Sequence, residues 1–174
     1  MRRLLDLVYM LSGALAALSI LAICLLVSAQ VALNILARLG GPSLSWTIPS
    51  YADFAGYLLA AASFLALAPT FRHGTHIRVN LVVSRLGAGQ GWMLELFALC
   101  VAGAAMAYAT WYAGALMLES LHYGDKSTGM IAVPIWIPQV VMVAGLALLS
   151  VAIFDRLVES LRAHRPVLSD DVTE

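Results

Sequence analysis

With 174 residues, 61% of them hydrophobic and only 11% charged, the chain has less than half the charge of a typical soluble domain (about 25%), which excludes a water-soluble globular fold. Ten basic and ten acidic residues balance to zero net charge and form no basic stripe, so nucleic acid is not an expected partner. Cys24 and Cys100 stand alone in separate apolar runs without a CxxC partner, which argues against redox or zinc chemistry.

Crossing a bilayer core of roughly 30 Å takes about 20 apolar residues. Four stretches meet that length, predicting membrane helices over about 7–37, 51–71, 92–118 and 130–154. The expected fold is an all-α integral membrane protein, a four-helix domain over 1–165 followed by a polar tail, 166–174. The first run also resembles a secretory leader, with Arg2 and Arg3 ahead of it and a cleavage-like Val27-Ser28-Ala29. A leader's apolar core is only about 7–15 residues long. This run continues past Ala29, so it is read as a retained helix.

Helix 2 opens at Asp53 and stays uncharged from Phe54 to Phe71. Ala52, Gly56 and Ala60 recur at four-residue spacing on it, as do Ala105, Ala109 and Ala113 on helix 3. Small residues let helix backbones approach closely in lipid, although the abundance of alanine in apolar helices explains the same spacing. Residues 76–86 are too short and too polar to span. At 100° per residue Val79, Val82, Val83 and Leu86 form one apolar stripe, with His76, Asn80 and Ser84 on a second face and Arg78 and Arg85 on a third. That pattern predicts a short helix lying in the membrane interface, ended by Gly87, Gly89 and Gly91 before helix 3.

His73 and His76 lack the further Cys, Asp or Glu that a metal would need, and all four histidines, with His122 and His164, fall in loops or the tail. No metal, haem or other cofactor is expected. Beyond helix 3, Gly124, Asp125, Ser127 and Gly129 predict a turn, with Pro134 and Pro138 in the first part of helix 4 and Trp136 between them as an interfacial anchor. A second proline at 138 is expected to free a carbonyl and bend that helix.

Basic residues stay on the cytoplasmic side. Arg2, Arg3, Arg72, Arg78, Arg85, Arg156, Arg162 and Arg165 fall on one side of the predicted spans, Arg38 and Lys126 on the other. Both termini are therefore expected in the cytoplasm, with the arginines drawn to lipid headgroups. Asp53, Glu95 and Glu119 lie near helix ends, and the helix interiors carry none of the charge that marks transported ions or protons. The chain is not expected to be an enzyme, nor to carry substrate alone.

Together these features resemble the small membrane subunit of tripartite ATP-independent periplasmic (TRAP) transporters over nearly the whole chain. The most specific part is R-x-G-x-H-I-x-V after helix 2, here Arg72, Gly74, His76, Ile77 and Val79. A second is the outer turn leading to P-x-W, here Gly124, Ser127, Pro134 and Trp136, and a third is the acidic residue opening helix 2, Asp53. Asn80 stands where Asp is common in the family.

The resemblance implies a bacterial inner-membrane protein whose partners are a large permease subunit and a periplasmic substrate-binding protein. The large subunit carries the substrate and sodium sites, and the binding protein delivers an organic acid. The small subunit is a fixed scaffold, and its motif residues, His76 above all, are expected at the interface with the large subunit or the end of helix 2. Two other classes remain open. An anchor subunit of a respiratory complex would need a haem- or quinone-binding histidine within a helix. An autonomous oligomeric exporter would need a membrane-embedded carboxylate, for which only Asp53 and Glu119 offer themselves.

Overall fold

In hydrocarbon a backbone must satisfy its own hydrogen bonds, and long aliphatic runs do so as helices. The computed structural model describes residues 2–40, 46–73 and 88–163. They form α1 (Arg2–Gly40), α2 (Tyr51–Arg72), α3 (Ala88–Tyr123) and α4 (Trp136–Ala163), each long and apolar enough to cross a membrane. No strand occurs among the described residues beyond one isolated bridge between Lys126 and Pro134. The interfacial segment 76–86, with Gly74 just before it, and the tail 166–174 lie outside the described residues.

The helices pack as a row in the order α1, α2, α4, α3. α2 and α4 are therefore central, and α1 and α3 each lean mainly on one neighbour. Burial is sparse, as expected where lipid covers most side chains. One small core joins Tyr9, Ala68 and Ala152 from α1, α2 and α4, and another joins Leu99, Leu149 and Ile153 from α3 and α4. Phe71 packs against both.

The α1–α2 seam is set by a proline. Pro69 lies inside α2 and has no N–H, so the carbonyl of Leu65 loses its helical partner. Ser12 of α1 supplies the replacement, its hydroxyl donating to Leu65 O at 2.6 Å while only 3% exposed. Gly13 lies beside the proline ring, where a Cβ would meet Pro69 Cγ at 3.6 Å, an ordinary van der Waals contact. On the opposite side of α2, Gly145 of α4 sits so close to Phe64 that a methyl group would overlap its backbone carbonyl. Between α3 and α4, Thr110 and Ser150 hydroxyls meet at 3.2 Å.

These contacts correct several expectations. The spaced small residues of α2 are not its packing face: Gly56 faces open space and Ala52 is exposed, as is Ala105 on α3. Spacing identifies a stripe but not the neighbour it meets, and the stripe in use runs through Phe64, Ala68 and Arg72 instead. α4 begins at Trp136, not near Met130, so Pro134 lies before the helix and Pro138 within its first turn. Neither removes an intrahelical bond there, because first-turn N–H groups have none to lose. Gly89 and Gly91 open α3 rather than precede it, and α4 continues past Phe154 to Ala163.

Ser12→Ala should leave the Leu65 carbonyl unpaired and lower stability by about 1–3 kcal/mol. Pro69→Ala would return an N–H to that carbonyl, so the serine's contribution should shrink to about 0.5 kcal/mol or less in that background, by the logic of a double-mutant cycle. Thermal unfolding of the four proteins in one detergent measures the coupling, and an equal Ser12→Ala penalty in both backgrounds would contradict this account of the seam.

Candidate functional site

Because α1 and α2 are antiparallel neighbours and α2 and α4 run parallel, the start of α1 and the ends of α2 and α4 meet. Charged residues gather there. Arg72, in the last turn of α2, is favoured by the helix dipole. Its Nη1 donates to Asp155 Oδ2 of α4 at 2.6 Å and its Nη2 to Asp6 Oδ1 of α1 at 3.4 Å. The guanidinium also lies 5.5 Å from the centroid of the Tyr9 ring. Arg156 donates from Nη2 to the Arg72 carbonyl at 3.0 Å, closing the helix end, and pairs with Glu159 at 3.6 Å. One residue thereby ties three helices.

The two ion pairs are unequal. Arg72 and Asp155 side chains are 18% and 26% exposed, whereas Asp6 is 57% exposed. The short, sheltered pair is a charge-assisted bond worth about 1.5–3 kcal/mol. The longer, wetter one is worth at most about 1 kcal/mol. A cleft of about 860 Å³ opens beside them, lined by Asp6, Tyr9, Met10, Gly13, Pro69, Arg72, His73 and Arg156. The buried Tyr9 hydroxyl has no hydrogen-bond partner among the described residues.

The opposite end is held by backbone and hydroxyl groups. Gly124, at a positive φ of 68°, stops α3 in the conformation glycine adopts without strain. Ser127 organises the following loop: its N–H donates to Val133 O at 2.8 Å and its hydroxyl accepts from Val133 N at 3.0 Å. The Ile135 N–H reaches Asp125 O at 3.0 Å across the Lys126–Pro134 bridge. Pro134 thus closes the loop, and Trp136, half-buried, opens α4.

This loop is pinned to α2. Ser50, just before α2 and left-handed at φ 56°, accepts from the Ile131 N–H at 2.9 Å. Asp53 in the first turn of α2 lies against Gly129, where any Cβ would overlap its carboxylate. Nearby, buried Gln30 of α1 accepts from the Ile48 N–H at 2.9 Å and donates to Asn34 at 3.1 Å, fixing the linker into α2.

The motif residues therefore divide between two sites. Asp53, Gly124, Ser127, Pro134 and Trp136 come together at one end. Arg72 stands at the other, about 28 Å away along α2 at 1.5 Å per residue. Gly74, His76, Ile77 and Val79 lie outside the described residues. Sequence reasoning missed Asp6, Tyr9, Asp155 and Arg156. Charge counting by side could have found all but Tyr9, since the predicted topology already puts residues 6, 72, 155 and 156 at one end. Gly129 and Ser50 carried no such signal. Among the described residues no cluster of histidine, cysteine and carboxylate side chains could hold a metal.

Asp155→Asn should lower stability by about 1.5–3 kcal/mol, whereas Asp6→Asn should cost about 0.5 kcal/mol or less. Denaturation midpoints of both variants in the same detergent measure the difference, and equal losses would contradict the unequal sharing of Arg72.

A family model described as tripartite ATP-independent periplasmic transporters, DctQ component, matches residues 23–163. Comparison with curated proteins and with solved structures returned no match.

Proposed function

The chain belongs to the DctQ component family of tripartite ATP-independent periplasmic transporters, and from that premise we propose that it is a non-transporting scaffold for a large, sodium-coupled permease subunit. That subunit takes up an organic acid handed over by a periplasmic binding protein. The small subunit lies in the bacterial inner membrane with both termini in the cytoplasm.

The observation that carries this reading is the absence of charge from the middle of every span. α1 has none between Asp6 and Arg38, α2 none between Asp53 and Arg72, α3 none between Glu95 and Glu119, and α4 none before Asp155. A carrier of an organic acid or sodium concentrates polar and ionisable groups, or broken helices, near the midplane. Here the ionisable groups sit toward the helix ends, where they lock helix to helix and loop to helix. Such a chain is suited to staying still while a partner moves. The motif segment from Gly74 to Val79 is assigned to the same role, contact with the large subunit or the end of α2.

The test is copurification. A tagged chain expressed with the large permease subunit of its transporter and extracted in mild detergent should recover that subunit in stoichiometric amount. Reporter fusions after Gly41 and Lys126 should report the periplasm, and fusions after Arg85 and at Glu174 the cytoplasm, from the eight-to-two distribution of basic residues. Recovery of the chain alone, or a cytoplasmic signal at Gly41, would contradict the reading.

A further inference from the structure

The two outer helices of the row turn different chemistry outward. Along the middle of α1 the large exposed hydrophobic side chains carry no aromatic ring, Leu11, Leu18, Leu21 and Leu25 among them. On α3 the outward face includes Tyr108, Trp111 and Tyr112, exposed by 64%, 76% and 57%. Ala104, Ala105 and Ala115 lie exposed around them.

Their depth is what makes these aromatics informative. Tyrosine and tryptophan suit the headgroup level, where ring and polar tip each find their solvent. Thr110 meets Ser150 at 3.2 Å. Ser150 lies five residues before Asp155, which marks the charged end of the bundle. At 1.5 Å per residue Thr110 is then roughly 7 Å inside that end, and Trp111 and Tyr112 roughly 10 Å inside a core of about 30 Å. The Tyr108 and Tyr112 rings lie tilted against each other with centroids 4.5 Å apart and can share one hydrogen bond. One phenol O–H and the Trp111 N–H then remain as donors, and hydrocarbon offers no acceptor.

We propose that this face of α3 docks against a membrane-embedded helix that presents hydrogen-bond acceptors to Tyr112 and Trp111, and that α1 faces lipid. The partner is the large permease subunit, so the inference rests on the small-subunit reading above. Alanines 104, 105 and 115 let the partner backbone approach closely. Trp111 also borders a groove of about 590 Å³ between α3 and α4, lined by Gly114, Ala147, Val151 and Phe154 among others, which accepts an aliphatic side chain.

Photocrosslinking in intact membranes tests this. The photoreactive residue p-benzoylphenylalanine is placed at position 108 or 116 of α3, which leaves Trp111 and Tyr112 in place, or at 18 or 21 of α1, in cells that also make the large subunit. Illumination should give adducts with the large subunit at least tenfold more abundant from the α3 positions than from α1. Tyr112→Phe, which keeps the ring and removes the hydroxyl, should reduce complex recovery severalfold, while Leu18→Ala leaves it unchanged. Adducts from α1 alone, or α3 adducts only with lipid or a second copy of this chain, would overturn the docking face. If wild-type chain copurifies with the large subunit but α3 gives no adduct to it, the docking face alone falls. If it does not copurify, the small-subunit reading falls with it.

Discussion

The N–H that Pro69 lacks is the constraint on which the packing depends. In water, an orphaned carbonyl at Leu65 would be solvated and of little consequence. In hydrocarbon it must find a donor within the protein, and Ser12 of α1 is that donor. The same nine-residue stretch of α2, from Phe64 to Arg72, also receives close contacts from both of its neighbours, α1 and α4. Gly145 closes on Phe64 from α4, Gly13 of α1 lies beside the proline ring, and Ala68 fills the core with Tyr9 and Ala152. Arg72 ends the stretch by binding carboxylates from both neighbours. Lipid supplies no hydrophobic force to hold helices together, so this concentration of close backbone approach and polar closure takes its place.

From that hub the organisation of the molecule follows. α4 is fixed to α2 along one side and holds α3 along the other through Leu149, Ile153 and the Thr110–Ser150 contact. The ends are secured by different means. At one end an arginine ties three helices through charge. At the other a glycine-containing loop is tied to the start of α2 by Ser50, and Asp53 lies against Gly129, where a side chain would displace its carboxylate. A row of helices locked at both ends and uncharged between them offers surfaces rather than a path. This is the physical basis of the scaffold role proposed above.

Much of this was legible in the sequence, for reasons that can be named. The bilayer imposes a length on apolar runs, so the four spans were readable from composition alone. The family was readable because Arg72, Gly124, Ser127, Pro134 and Trp136 stand at fixed places around those spans. Helix packing was not readable, because a stripe such as Ala52, Gly56 and Ala60 looks the same whether it meets a helix or open space. The start of α4 was displaced for a related reason: Met130 to Ile135 is apolar enough to continue a span, yet Ser127 draws it into a loop. The role of Pro69 was hidden because its consequence appears only when Ser12, more than fifty residues away, is set beside it.

The central claim is that this chain stabilises a transport path without providing one. Flux measurements in sealed vesicles test it most directly: vesicles hold the chain alone, or the chain with the large subunit, and binding protein loaded with its organic acid is added outside under an inward sodium gradient. The account predicts uptake only where the large subunit is present, with an order of substrates unchanged when the small subunit is replaced by that of a related transporter. Sodium-driven uptake by the chain alone, or an order of substrates that follows the small subunit, would contradict it.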